Sequence, residues 1–359
     1  MLKTSMQNNL YCVIEIAAES DHLKQIYTGF SLLERCGFLR VKQEFPSLTA
    51  FDYDIQTIVK VRFNDKCNVI YDVHDSSRID KNLLKSSDFY FKRSYSSHEH
   101  NGFVGSEKIF PLGLNYAVST NYVDFKKLQR SRLFHGFQRI RSIAKSLRLD
   151  RLSIVPAEAI CLDKLESLPD LLAPSKVLYM TRVWDPDQLP DRTQRLKTIE
   201  MNEQRVECLR ILSSKLGDSF LGGLSVDDYS IKTYPEYLLE NEYMSLKRNY
   251  LNTLKGYPIC IATSGLFGSN GWKLAEYVAF SKAIVTEPLI YELPGNFSEG
   301  VNYLSFTNTN DLVDKVLFLC ESTKFRNKLM MANHKYYLSY GRPDSMILNT
   351  IASIVEELD

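Results

Sequence analysis

The sequence predicts an α/β fold made of two Rossmann-like halves, on three observations. Strand-like apolar runs alternate with helix-like stretches from Leu10 to Leu112 and again from Val177 to Thr286. Such alternation implies parallel sheets whose strands are joined by helical crossovers. A Pro-punctuated stretch, Leu168-Pro169-Asp170 to Ala173-Pro174-Ser175, stands between the two series and reads as an interdomain linker. At 359 residues the chain is also too long for one ordinary core, and its length suits roughly two domains.

The elements follow in order. Leu10 to Ile16 is a compact apolar run, and Leu23 to Leu33 has helical spacing up to Cys36-Gly37. Ile58 to Phe63 and Val69 to Val73 are β-branched strands. Phe89 to Phe91 and Ile109-Phe110 are shorter ones, the second ending at Pro111-Leu112-Gly113. From Phe125 to Leu149 the spacing predicts a long amphipathic helix, with Phe134, Phe137, Ile140, Ala144 and Leu147 on one stripe. Its other faces carry Lys126, Lys127, Arg130, Arg132, Arg139, Arg141, Lys145 and Arg148, either as a solvated face or as a surface for anionic lipid or a phosphate-bearing acceptor. The second series begins with a strand over Val177 to Met180. Helix 200–215, strand Ser219 to Leu221, helix Tyr234 to Tyr243, helix 245–254, strand Ile259 to Ala262, helix 271–280 and strand 283–286 come next. Ile347, Ile351, Ile354 and Val355 mark a terminal helix. The sequence has no internal repeat and no low-complexity segment.

Composition narrows the function classes. With 44% hydrophobic and 24% charged residues the chain is globular. Its 44 basic and 43 acidic residues leave a formal charge of +1, so no global field favours nucleic acid, and an anionic partner must be met locally. The seven cysteines are scattered singly, as reduced thiols of a cytosolic protein are. No apolar run reaches the ~18 residues that span a bilayer, and the amino terminus lacks a signal-peptide layout. The expectation is a cytoplasmic protein, at most peripheral at the inner face of the membrane.

One stretch carries most of the chemistry. The small-residue turn Gly268-Ser269-Asn270-Gly271 opens a helix that begins Trp272-Lys273-Leu274-Ala275-Glu276. The amides of a helix start attract an anion, Lys273 adds a full charge, and a carboxylate one turn on can accept from a ribose diol. Diphosphate plus ribose means a nucleotide. Thr181-Arg182 stands just after the Val177 strand and Thr286-Glu287-Pro288 after the strand at 283, so all three places can meet at the carboxyl ends of one parallel sheet. Arg182 and Lys273 are then the cations for a diphosphate leaving group. The plainer alternatives are a salt bridge for Arg182, a solvated position for Lys273 and a buried ion pair for Glu276.

At these residues the chain resembles the GT-B glycosyltransferases, and within them the bacterial proteins similar to family 4, the group 1 glycosyl transferases. The resemblance implies two Rossmann-like domains facing a central cleft: an acceptor-side domain over 1–170, a nucleotide-sugar donor domain over 171–340, and a terminal helix over 341–359 that crosses back to the first. In that family two glutamates stand eight positions apart, the second binding ribose; Glu276 matches the second, and Gly268 occupies the place of the first. The usual Gly-Arg-Leu is Thr181-Arg182-Val183 here. The resemblance assigns Thr181, Arg182, Asn270, Gly271, Trp272, Lys273 and Glu276 to the donor. It implies transfer of a hexose-type sugar from a nucleotide diphosphate sugar to a glycan or lipid-linked acceptor in cell-surface polysaccharide biosynthesis, retaining or inverting, with no cofactor beyond that donor substrate. Two other readings are a nucleotide-sugar epimerase and a catalytically degenerate, transferase-like binding subunit.

The first half is expected to supply the acceptor side and a base. Val69 to Asp75 ends a strand with Asp72, His74 and Asp75, and Phe91-Lys92-Arg93 ends the next with two cations. Asp75, then His74, are the candidates to take the acceptor hydroxyl proton, alongside Arg182 in the catalytic set; capping of the following turn is the alternative for the aspartates. Lys92 and Arg93 are placed on acceptor or donor phosphate, or in surface pairs. His98 and His100 have the look of a metal pair, yet nothing with ligand spacing accompanies them, and exposed loop histidines are expected. Asp227-Asp228 reads as turn chemistry, so no paired-aspartate metal site is foreseen and Lys and Arg are expected in place of Mg²⁺. P-loop, dinucleotide and nucleophile-elbow motifs are absent.

Overall fold

Only three residues, Asn64-Asp65-Lys66, separate strand β3 (Ile58–Phe63) from strand β4 (Cys67–Asp72), and this spacing reverses one strand of the first sheet. A parallel pair needs a crossover of a dozen residues or more, so the two strands can only form a hairpin. Asn64 and Asp65 adopt φ of 46° and 55°, the left-handed values a tight hairpin turn requires. The computed structural model describes residues 10–18, 20–46, 56–102, 104–118, 161–189, 191–265 and 268–357, in two units. The amphipathic helix predicted over Phe125 to Leu149 lies outside the described residues.

The first unit comprises 1–164, 291–295 and 338–359. Its six-stranded sheet has the order β2-β1-β3-β4-β5-β6, with β1 at Tyr11–Glu15, β2 at Arg40–Glu44, β5 at Phe89–Lys92 and β6 at Ile109–Pro111. Strand β3 runs antiparallel to both β1 and β4, whereas the other pairs are parallel, which corrects the expectation of a uniformly parallel sheet. Helix α1 (Lys24–Arg35) buries Ile26, Tyr27, Phe30 and Leu33 against one sheet face. Short helices α2 (Lys81–Ser86) and α3 (Ser97–His100) follow β4 and β5.

Helix α10 (Pro343–Glu357) joins the same core through Met346, Ile347, Ile351 and Ile354. It crosses α1 at Gly29, where an added Cβ would lie 2.3 Å from the Pro343 carbonyl oxygen and 2.6 Å from Ile347 Cγ1. Glycine alone lets the two backbones approach so closely. The Tyr71 and Thr350 hydroxyls, 2.8 Å apart, pin the helix to β4. The terminal helix therefore returns to the first unit.

The second unit, 165–290 and 296–337, is built on a parallel five-stranded sheet of order β11-β10-β9-β7-β8. Its strands are β7 (Val177–Thr181), β8 (Phe220–Leu224), β9 (Ile259–Ala262), β10 (Ala283–Thr286) and β11 (Tyr303–Ser305). β7, β9 and β10 are buried at every position, as strands covered on both faces must be. Helices α4 (Arg192–Leu216), α5 (Asp228–Thr233), α6 (Lys247–Lys255), α7 (Trp272–Ala279), α8 (Thr309–Glu321) and α9 (Thr323–Tyr336) complete it.

Two expectations fail locally. The helix predicted over Tyr234 to Tyr243 is replaced by single 3₁₀ turns at Pro235–Tyr237 and Glu242–Ser245. The strand predicted to stop at Leu221 continues through Gly222-Gly223 to Leu224. Glycine is needed there, since a Cβ on Gly223 would lie 3.0 Å from the Leu239 amide nitrogen. The Pro-punctuated stretch is held inside this unit: Ser167 N–H donates to the Ala279 carbonyl, and the buried Arg326 reaches the Ser175 hydroxyl and the Ala173 carbonyl. Among the described residues no helix is long and apolar enough to cross a membrane.

Candidate functional site

Strand β9 runs into a loop that reverses direction before α7. Gly265 N–H donates to the Ser269 carbonyl at 2.8 Å, and Gly268 N–H to the Gly265 carbonyl at 3.1 Å. Ser264 N–H donates to Glu287 Oε2 at 2.7 Å, joining this loop to the end of β10. Gly271 then caps α7 with no side-chain bond to the first turn, so the dipole of the helix start is unopposed by a neighbouring carboxylate. Asn270 is buried, and Trp272 and Lys273 are half-buried.

Glycine at position 268 has a visible structural reason. Its φ is +69°, and a Cβ there would sit 2.4 Å from Ile290 Cδ1. A glutamate at this position is excluded twice, by backbone conformation and by space.

Lys273 Nζ lies 4.2 Å from the centroid of the Tyr250 ring, within cation–π range. Burial pushes its amine down to about 8, helped by Lys247 and Arg182 and opposed by Glu276. At neutral pH the amine is thus mainly charged. Glu276 is nearly solvent-free and forms an ion pair with Lys247 of α6. Arg182 is exposed just past the end of β7, its guanidinium 5.0 Å over the Trp184 ring. Thr181 Oγ1 stands 3.5 Å from Thr263 Oγ1. The carboxyl ends of β7, β9 and β10 therefore collect Thr181, Arg182, Lys273 and Glu276 in one place, with cations in excess.

Arg205 is the residue that sequence reasoning missed here. Almost fully buried, it donates from Nη1 to the Arg182 carbonyl at 2.6 Å and from Nη2 to the Ser264 carbonyl at 2.7 Å, tying the loops after β7 and β9 together. Its signal was its register: it stands three and four positions before Cys208 and Leu209 on the buried stripe of α4, where a guanidinium needs a reason.

In the first unit the strand-end charges form two pairs. Lys92, with no solvent exposure, lies 2.9 Å from Asp72 Oδ2, which also accepts from the Tyr90 hydroxyl at 2.6 Å. Arg93, 2% exposed, donates to Asp75 Oδ1 at 2.6 Å, and Asp75 is 42% exposed. Lys92 is thus turned inward, away from any surface, because Asp72 holds it there. His74 lies between these pairs. The Ser76 N–H donates to its Nδ1 at 3.1 Å, which places the ring proton of the neutral form on Nε2. Burial, then Lys92, hold His74 below the ordinary histidine value. A neutral ring with its proton on Nε2 can donate there.

His100 is buried, with Nε2 2.8 Å from the Ser77 carbonyl oxygen, so it is not the exposed loop residue expected; His98 is exposed. Among the described residues no three His, Cys, Asp or Glu side chains gather as a metal site would need. Asp227 accepts from Ser230 N–H in a capping box that starts α5, the turn chemistry foreseen for Asp227-Asp228.

No known family matches the sequence, and no curated protein does. Solved structures offer distant likenesses. A glycosyltransferase from Rickettsia africae ESF-5 is 14% identical at a TM-score of 0.38, the match covering 78% of this chain and 68% of that one. The UDP-GlcNAc 2-epimerase from Neisseria meningitidis bound to UDP-GlcNAc is 14% identical at 0.38, over 76% of this chain and 64% of that one. MnaA of S. aureus, in a co-structure with UDP, is 13% identical at 0.39, over 96% and 74%. The layout is GT-B. Two Rossmann-like units and a terminal helix that belongs to the first are its elements.

Proposed function

We propose that this protein is a glycosyltransferase that takes its sugar from a nucleotide diphosphate donor bound in the second unit. The observation that carries the reading is the gathering of Arg182, Lys273 and Glu276 beside the uncapped start of α7, at the carboxyl ends of an all-parallel sheet. Cations fixed at that edge stabilise the charge that develops on a departing diphosphate, and a nearly solvent-free carboxylate is suited to a ribose diol. With Lys and Arg supplying the positive charge, the reaction is expected to run without a divalent ion. Asp75 is the proposed base toward a glycan or lipid-linked acceptor. The basic residues between Phe125 and Leu149, outside the described residues, are the proposed contact with anionic membrane.

Calorimetry with nucleoside diphosphates tests the donor site. Lys273→Ala and Arg182→Ala should each cost about 1.5 to 3 kcal/mol of diphosphate binding, the range of charge-assisted hydrogen bonds, in chains that remain folded. Affinity equal to the parent's in both variants would remove the donor from this edge. Glycosyl transfer in excess EDTA tests the role of the cations, and loss of activity there would overturn it. Epimerisation of the donor sugar without an acceptor would replace the transferase reading.

A further inference from the structure

We propose that Lys247 is a positioning residue of the donor site, pairing with the Glu276 carboxylate and holding it in place so that it accepts from ribose hydroxyls. The inference rests on the donor-site reading given above.

Helix α6 has its own reason to avoid a lysine at this point. Lys247 is the first residue of α6, and the residue before it, Leu246, offers no side-chain cap. A cation there faces the positive end of the helix dipole, which disfavours it. The compensating interaction lies on another helix: the Lys247 ammonium pairs with Glu276 Oε1 of α7, 29 positions along the chain. Glu276 needs such a partner, because its side chain is 3% exposed and an unpaired carboxylate in that setting takes up a proton instead. Lys247 is 32% exposed, so the ammonium stands on the solvent side of the pair while the carboxylate stands on the protein side.

The other groups around Glu276 leave this task to Lys247. From its own helix come Lys273 and Tyr277, and from α6 comes Tyr250; Arg182 beyond β7 acts on Lys273. Burial keeps both phenols neutral, their pKa values well above 10. Lys273 is a cation, but its ammonium lies over the Tyr250 ring and it titrates near 8. A carboxylate that relied on Lys273 alone would share a counter-ion already committed to the diphosphate. Lys247 thus separates the two tasks: Lys273 meets phosphate, and Lys247 pairs with Glu276.

The test measures binding of UDP, GDP, ADP and inorganic pyrophosphate to the full chain by calorimetry at several pH values between about 6 and 8.5, the range set by the titrating groups. Pyrophosphate reports the cations alone, so the ratio of nucleotide to pyrophosphate affinity isolates the ribose contact. In the parent and in Lys247→Arg this ratio should stay nearly level with pH. In Lys247→Met the carboxylate loses its counter-ion, so the ratio should fall as the pH is lowered, toward the level of the Glu276→Gln chain, and recover at higher pH. Lys247→Gln, which retains a hydrogen-bond donor, should behave the same way and serves if the methionine variant does not fold. Adding Glu276→Gln to either neutral variant should abolish the pH dependence. A ratio in Lys247→Met and Lys247→Gln that matches the parent at every pH overturns the assignment while leaving the donor site in place. Failure of the folded parent chain to bind any of the three nucleotides overturns the donor-site reading, and this inference with it.

Discussion

At the ends of β4 and β5 two acidic and two basic side chains form pairs of different depth. Asp72 and Lys92 are both withdrawn from solvent, whereas Asp75 keeps contact with water beside a buried Arg93. Breaking the deep pair on one side strands a charge, so Lys92→Met should destabilise the chain by about 3 to 5 kcal/mol in urea unfolding, with much of that recovered in Lys92→Met/Asp72→Asn. Equal stability of the single and double variants would show that the stranded carboxylate is not the cause. The nearby imidazoles respond to acid. Burial holds His22 and His74 below their ordinary value of 6.5, so the unfolded chain binds protons that the folded one refuses. Their contribution is fully present above 6.5 and is lost as the pH falls through the lower folded values. Urea unfolding at about pH 7.5 and about pH 5.5 should show a loss of stability that shrinks in His22→Gln and His74→Gln. Of this cluster the sequence revealed the residues and their strand ends, because charges that follow an apolar run are conspicuous. It did not reveal that Asp72 pairs with Lys92 and Asp75 with Arg93, since these partners are 18 to 20 positions apart and meet only once β4 lies beside β5.

The loop between β9 and α7 shows how an element can be half legible. Helix α7, strand β9 and strand β10 stand where the sequence predicts them, because their apolar periods are unbroken and bounded by small residues. The left-handed turn at Gly268 could not be read, for a glycine in a Gly- and Ser-rich stretch does not announce its φ. Placing a glutamate there by Gly268→Glu should therefore lower Tm by several degrees, in line with a penalty of about 1 to 3 kcal/mol for a strained backbone and a displaced Ile290, and should not strengthen nucleotide binding. A variant as stable as the parent would mean that the loop adopts another path. Helices α8 and α9 went unforeseen although Leu312, Val313, Val316 and Leu319 carry helical spacing behind the Asn308 cap. The reversed β3 went unforeseen because the alternation of elements suggested crossovers, and the three-residue connection was the overriding signal.

On the scale of the whole chain, the first unit depends on its contact between α1 and α10. Gly29→Val should drive a branched side chain into the Pro343 carbonyl, costing about 1 to 3 kcal/mol or more, and should lower the thermal midpoint of the first unit while nucleotide affinity in the second persists. Loss of both together would indicate that the two units unfold as one. The same contact joins residues made early to residues made much later: Gln25 Nε2 donates to the Gly341 carbonyl 316 positions away. On a ribosome, the amino-terminal sheet would leave the exit tunnel long before its covering helix exists, and the apolar face around Phe30 and Tyr71 would wait uncovered through synthesis of the entire second half. The order of birth is then the reverse of the usual one, with every strand of the later sheet made before the covering helix of the earlier one. The exposure of that surface during the interval should lengthen with translation time.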